Sequence, residues 1–130
     1  MTRIVVDGMN VIGSRADGWW RDRDGAAHRL LRRLQRALTH TDDVLTLVLE
    51  GRPLPDVAEG DHGAVDVRYA RRRGRNAADD RIVELVAADT DPAGVRVVTS
   101  DRELAARVVA LGATTEGAGA FLRRLDRLGA

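Results

Sequence analysis

The 130-residue chain has no cysteine, no lysine and only four aromatic residues. Without cysteine, disulfide bonds and thiolate metal sites are excluded, so any metal ion must be held by oxygen or imidazole ligands. Without lysine, the chain cannot form a P-loop or a phospho-acceptor receiver site, because both need that residue. The chain also lacks an apolar leader with a cleavage site and any apolar run that approaches the length of a membrane span. We therefore expect a cytoplasmic protein that does not bind a membrane.

The charge is nearly balanced, with 21 arginines against 20 aspartates and glutamates, and the net charge of +1 predicts no particular partner. All-arginine usage beside abundant alanine, glycine and valine suggests a GC-rich genome, so the number of arginines is not by itself evidence of nucleic-acid binding. His28, His40 and His62 show no metal-ligand spacing, and we interpret them as surface residues.

Short apolar segments typical of strands, some of them continuous and one alternating, are interspersed with segments of helical period. Strands are predicted over residues 3–6, 44–49, 65–69, 95–99 and 113–115. Helices are predicted over residues 25–38, 77–88, 102–111 and 118–128. The segment 51–63, which carries two prolines, is predicted to be a loop. This alternation predicts one α/β domain over residues 1–130, with a mostly parallel sheet of four to five strands and helices on both faces.

Acidic residues follow several of the predicted strands. Asp7 comes directly after the first strand, Glu50 ends the second, and Asp101 lies just beyond the strand 95–99. Ligands bind beyond the carboxyl ends of parallel strands, near the switch point of the sheet, so these acids should lie close together. Asp79, on the inward side of the helix that starts at residue 77, can point into the same cleft, whereas Asp80 should face solvent.

Carboxylates held together repel one another unless they share protons or a cation. A hard divalent ion such as Mg²⁺ or Mn²⁺ is the usual solution, and it makes phosphodiester hydrolysis possible. Each acid also has a structural interpretation. Asp101 can be a helix N-cap, Asp79 a first-turn acid beside the helix dipole, and Glu50 the start of a turn.

Three segments of the chain resemble NYN domains, the PIN-like nuclease group that includes YacP-type proteins. Residues 5–13, Val-Val-Asp-Gly-Met-Asn-Val-Ile-Gly, resemble the opening signature of these domains. Residues 74–80 resemble the start of the helix that carries a family acid, and residues 98–101, Val-Thr-Ser-Asp, resemble a strand end of the family. The resemblance extends from residue 3 to about residue 115. It implies a PIN-like Rossmannoid three-layer sandwich, a Mg²⁺ or Mn²⁺ site and RNA cleavage.

By this resemblance, Asp7, Asp79 and Asp101 match metal-binding acids, and Asn10 matches a polar residue that orients the site. Two positions depart from the family pattern. Glu50 stands where YacP-type proteins often have aspartate, and Glu103 stands where many NYN proteins have a second acid. Both changes keep a carboxylate but lengthen it, which leaves open the number of bound ions and the rate.

The densest basic run lies next to the Asp79 helix and consists of Arg71, Arg72, Arg73 and Arg75. Clustered arginines suit contacts with an RNA backbone, although a solvated loop would have the same composition. Trp19, in a loop with Trp20, can stack on an unpaired base or pack against the domain. Ser100 can position a phosphate.

The leading hypothesis is a metal-dependent endoribonuclease in which Asp7, Asp79 and Asp101 hold the ion and Glu50 orients a water molecule. A non-catalytic RNA-binding module and a small-nucleotide phosphohydrolase on the same fold stay open as alternatives. Ribosome association, and the choice between monomer and homodimer, are also left open.

Overall fold

A computed structural model describes residues 2–71, 74 and 76–130, except for the side chain of His40. The strands of this part are β1 (Arg3–Asp7), β2 (Val44–Leu49), β3 (Gly60–His62), β4 (Val65–Tyr69), β5 (Val95–Val98) and β6 (Thr114–Glu116). Its α-helices are α1 (Gly8–Gly13), α2 (Arg23–Ala37), α3 (Ala77–Ala88), α4 (Arg102–Ala110) and α5 (Ala118–Arg127). Among the described residues, no helix is both long enough and apolar enough to cross a membrane.

The strands form one sheet in the order β3-β4-β2-β1-β5-β6, and every neighbouring pair is parallel except β3 with β4. Helices α1, α2 and α5 pack together, and α3 packs with α4 in a second group. Strand β1 serves both cores because successive side chains point to opposite faces: Ile4 and Val6 belong to one apolar cluster, and Val5 to the other. The predicted α/β three-layer sandwich is confirmed.

The sheet has six strands among the described residues, and the prediction of four to five is corrected. The additional strand, β3, lies inside the segment 51–63 that was predicted to be a loop. Its three residues carry no apolar pattern from which a strand could be predicted. They join the sheet only through antiparallel pairing with β4. Gly63, with φ of +66°, supplies the turn of this two-residue hairpin.

Two helix starts differ from the prediction. Helix α2 begins at Arg23, two residues early, because the carboxylate of Asp22 accepts a hydrogen bond from the amide of Gly25 and caps the helix. Helix α1 was not predicted, because a six-residue helix is too short to show a helical period. It turns the chain back over the sheet immediately after β1.

Gly8 begins α1 where the helix touches β2. A Cβ atom at Gly8 would lie 2.7 Å from Leu49 Cδ2 and 2.8 Å from the carbonyl oxygen of Val48. A backbone atom cannot move aside as a flexible side chain can. The absence of a side chain at residue 8 is therefore what allows α1 to lie so close to the sheet.

We predict that Gly8→Ala lowers the free energy of unfolding by about 1–3 kcal/mol, because the added methyl group overpacks this contact. Gly13→Ala in the same helix is the matched control. A Cβ atom there would meet Trp19 at an ordinary 3.7 Å, so the change should be neutral or stabilising by up to about 1 kcal/mol. Urea denaturation measures both values, and equal effects of the two substitutions would contradict the prediction.

Candidate active site

Asp7 is the last residue of β1, which lies between β2 and β5 in the middle of the sheet. Its side chain is buried, with 6% of the residue exposed. The pKa of Asp7 is raised to about 6, first by this burial and then by the nearby charges of Asp79 and Glu50, while a hydrogen bond from the Thr99 hydroxyl opposes the shift. At neutral pH the ionised carboxylate is therefore held at an energetic cost.

The segment after β5 connects Asp7 to the rest of the site. Thr99 Oγ1 donates a hydrogen bond to Asp7 Oδ2 at 2.9 Å and accepts one from the amide of Asp101 at 3.1 Å. Thr99 was not identified from the sequence, where it reads as an ordinary β-branched strand residue. Its position opposite the end of β1 is a property of the parallel pairing between β1 and β5.

Asn10 and Ser100 hold this same segment in place. The amide of Ser100 donates to Asn10 Oδ1 at 2.8 Å, and Ser100 Oγ accepts from the amide of Ala118 at 2.9 Å. These bonds join α1, the end of β5 and the start of α5. Asn10 thus positions the backbone after β5, which is a role consistent with the orienting residue that the sequence suggested.

Asp101 caps α4, as its structural interpretation predicted. Its Oδ1 accepts hydrogen bonds from the amides of Glu103 at 2.9 Å and Leu104 at 3.2 Å. Asp101 also lines the same cleft as Asp7. Capping and a place in the cleft are therefore compatible. Glu103 is exposed and is not part of the lining of the cleft.

Asp79 and Asp80 point in different directions from the first turn of α3. Asp79 lines the cleft, and its pKa is raised by burial and by the charges of Asp101 and Glu50, although Arg107 opposes this. Asp80 lies on the other side, where Arg107 binds it at 3.0 Å. The preceding residue, Asn76, is the N-cap in a left-handed conformation (φ +66°), and its side chain makes no capping hydrogen bond.

One open cleft of about 960 Å³ collects these groups, and we call it the carboxylate cleft. Its acidic lining residues are Asp7, Glu50, Asp79 and Asp101. In the part of the chain that the structure describes, no three histidine, aspartate or glutamate side chains lie close enough together to hold a metal ion as they stand. The all-oxygen donor set nevertheless fits a hard divalent cation of the Mg²⁺ type, which needs only one or two direct carboxylates and completes its shell with water.

Of the arginines predicted to contact RNA, the structure describes Arg71 alone, and it does not line the carboxylate cleft. Arg71 is exposed, pairs with Glu84 at 3.0 Å and lines a second cleft together with Asp80. Arg72, Arg73 and Arg75 lie outside the described residues. Arg23 and Arg52, by contrast, line the carboxylate cleft. They were missed because only clustered arginines stand out in the sequence. These two arginines are separated in sequence and are brought together by the fold.

Trp19 both packs against the core and lines the carboxylate cleft, so the two interpretations of this residue are compatible. The guanidinium carbon of Arg23 lies 5.8 Å from its ring centroid. Trp20 stands perpendicular to it, with centroids 6.1 Å apart, and is 54% exposed. His28 and His62 lie outside the cleft lining; His28 contacts Asp56 at 2.8 Å.

Comparisons with known proteins identify the fold and the family of the chain. No curated protein matches the chain. Among solved structures, Rae1 (YacP) from Bacillus subtilis is similar, with a TM-score of 0.79 and 21% sequence identity over 99% of this chain and 76% of that one. The structure of a tryptophan-to-leucine mutant of Rae1 gives a TM-score of 0.76 at 21% identity, covering 99% of this chain and 77% of the other. At this identity the likeness establishes the fold.

The family is established by the sequence itself. The model of the YacP-like NYN domain matches residues 4–130, which is nearly the whole chain and includes every acid of the carboxylate cleft. NYN domains are PIN-like and of the nuclease type, and their function is related to RNA. The chain therefore belongs to the YacP-like NYN domain family.

Proposed function

We propose that this protein is a divalent-metal-dependent endoribonuclease that hydrolyses RNA phosphodiester bonds in the carboxylate cleft. The observation that carries the proposal is the buried Asp7, whose ionised form is disfavoured by burial and by the neighbouring Asp79 and Glu50. Strongly perturbed carboxyl groups that face a cleft are typical of functional sites, and a cation relieves their repulsion. Membership of the NYN family supports the same conclusion.

In this proposal Asp7, Asp79 and Asp101 hold a Mg²⁺ or Mn²⁺ ion, one or two of them directly and the others through water. When bound, the ion supplies a water of lowered pKa and stabilises charge that develops on the phosphoryl oxygens. Glu50 has no hydrogen-bond or ion-pair partner among the described residues, so its carboxylate is available to accept a proton from water in the cleft. Thr99 and Asn10 keep the two strand ends aligned.

The RNA would enter along the open side of the cleft. Arg23 and Arg52 are the described cations in position to contact its phosphates, and a contact with the arginine run at residues 71–75, of which Gly74 lines the cleft, stays a prediction. Ser100 Oγ accepts a bond from Ala118, so its O–H is free to donate to a phosphate oxygen. Trp19 offers an aromatic face to an unpaired base.

A non-catalytic RNA-binding module is the second candidate. It is favoured by the absence, among the described residues, of three carboxylates close enough to hold an ion together. Such a module would bind RNA equally well in EDTA and in Mg²⁺, and its binding would not need Asp7. A phosphohydrolase for small nucleotides fits less well, because the cleft is open and large enough for a polymer.

We predict that labelled single-stranded RNA is cleaved in Mg²⁺ or Mn²⁺ and not in EDTA. Asp7→Asn should reduce the rate by at least roughly 100-fold, since loss of even an outer-shell group costs 10- to 100-fold at metal sites. Gel analysis of time courses measures both effects. RNA binding that persists without cleavage in every metal, by a folded protein, would favour the binding module.

Asp7→Asn should also stabilise the metal-free protein. The folded state holds the Asp7 proton more tightly than the unfolded state, with a pKa of about 6 against 3.8, so stability falls as pH rises through this interval and the full cost applies above it. In EDTA at about pH 7.5 the asparagine protein should gain up to about 3 kcal/mol, from about 1.4 kcal/mol per unit of pKa. The gain should disappear near about pH 4.

Urea denaturation of the two proteins at both pH values measures this difference. Asparagine keeps an oxygen that can accept the Thr99 hydrogen bond, so the substitution removes the charge and little else. A less stable asparagine protein at neutral pH would contradict the assigned cost of the charge.

Asp101 allows capping and chemistry to be separated. Because asparagine caps helices about as well as aspartate, Asp101→Asn should leave the free energy of unfolding nearly unchanged, whereas Asp101→Ala should lower it by about 1 kcal/mol. We expect both substitutions to impair cleavage. If Asp101→Asn cleaves RNA like the unmodified protein, Asp101 serves only as a cap.

A further inference from the structure

A side pocket of about 160 Å³ opens from the carboxylate cleft. The two share Met9, Arg23, Glu50, Gly51 and Arg52, so they form one continuous depression. A group seated in the side pocket could therefore be joined by a few covalent bonds to a phosphate in the carboxylate cleft. Of the residues predicted from the sequence to contact RNA, those that the structure describes (Trp19, Arg71 and Ser100) do not line this pocket.

The floor of the side pocket is apolar. It is formed by Met9, Ala27, Leu49, Leu54 and Tyr69. The hydroxyl of Tyr69 is already used, because it donates to the carbonyl of Val57 at 2.6 Å and accepts from the amide of Leu54 at 3.3 Å. What Tyr69 and its neighbours offer to an occupant is therefore apolar surface, which suits the face of a planar ring.

The mouth of the side pocket carries charges of both signs: Arg23, Asp24, Glu50 and Arg52. Arg23 lies against the ring of Trp19. Within the described part of the chain, the side chains of Asp24 and Arg52 have no hydrogen-bond or ion-pair partner. A free carboxylate acceptor and a free guanidinium donor thus stand at the rim of an apolar pocket.

The volume limits what can enter. Pockets that hold drug-sized ligands measure roughly 300–1,000 Å³. The side pocket, at about 160 Å³, has room for one ring system but not for a base pair. An RNA strand lying in the carboxylate cleft would reach it with one unpaired base. Recognition of RNA sequence commonly works in this way, with a splayed base that is stacked and hydrogen-bonded at its edges.

We propose that the side pocket is a guanine-binding subsite for the nucleotide next to the cleaved phosphate, an inference that rests on the proposed function. Guanine presents two neighbouring N–H donors, at N1 and N2, which match the two oxygens of the Asp24 carboxylate. It also presents O6 and N7 as a pair of acceptors, which match the guanidinium of Arg52. Uracil, adenine and cytosine each lack both of these pairs. The substrate is accordingly single-stranded RNA with a guanine at one fixed position.

The first experiment measures binding without cleavage. A fluorescently labelled heptamer of uridines with one central guanosine is compared, in EDTA, with the all-uridine heptamer by anisotropy. We expect the guanosine heptamer to bind about 10-fold more tightly, which is within the range for a good bidentate pair. Inosine, which lacks the N2 amino group, should lose most of this preference, and 7-deazaguanosine should lose part of it.

Variants assign the preference to the two charged groups. Asp24→Asn should remove the distinction between guanosine and inosine, and Arg52→Gln the distinction between guanosine and 7-deazaguanosine. Asp42→Asn and Arg36→Gln are matched controls: both residues are exposed and lie outside the side pocket, so the preference should be retained. Urea denaturation of each variant verifies folding, which is relevant to Asp24 because it lies in the first turn of α2.

Equal binding of the two heptamers, or a preference that survives Asp24→Asn, would overturn the subsite. Cleavage in Mg²⁺ is scored separately on RNA of mixed sequence. Cleavage without a guanine preference would leave the nuclease standing and remove the subsite. A guanine preference without cleavage in any metal would leave the subsite standing and remove the nuclease.

Discussion

The charge of Asp7 at the end of the central strand is the constraint on which the rest of the site depends. Strand β1 pairs in parallel on both sides, and the side chain of Asp7 at its carboxyl end is buried. The hydroxyl of Thr99 offsets part of this cost, and the nearby carboxylates add to it. A packing argument alone would place an apolar residue there, and a buried, strongly perturbed carboxyl group that faces a cleft is a candidate for a functional group.

Several residues around Asp7 both stabilise the fold and lie at or beside the candidate active site. Asp101 caps a helix, Ser100 joins two elements, and Asn10 fixes the backbone between them. Groups attached in this way to helix and strand ends have little freedom to move, which suits the proposed site, where an ion and a phosphate would be held in register. We therefore expect substitutions that remove these hydrogen bonds to affect folding as well as activity.

The sequence predicted the helices and strands whose buried apolar residues follow a regular pattern. The bounds of α3 were predicted to the residue. Asp7, Glu50 and Asp101 were assigned to one edge because parallel strands end there, and Asp79 was assigned to the same cleft from its place on the inward side of α3. The short elements were missed, since neither α1 nor β3 is long enough to show a period.

The basic lining was missed for a different reason. Arg23 and Arg52 are far apart in the chain and come together only because α2 and the segment after β2 meet at the cleft. Partners that are brought together by tertiary structure leave no local pattern to read. The role of Thr99 is hidden in the same way, because it depends on which strand lies beside β1.

The outer strands of the sheet, β3 and β6, are three residues long each, and they flank longer apolar strands. Edge strands expose unpaired backbone groups that can recruit strands of other molecules, and natural proteins commonly limit this by keeping such edges short and polar. The composition of Gly-Asp-His in β3 and Thr-Thr-Glu in β6 follows this rule. Strand β3, which the apolar pattern could not reveal, covers β4, an alternating apolar strand that would otherwise form the edge of the sheet. Strand β3 therefore protects the chain against aggregation.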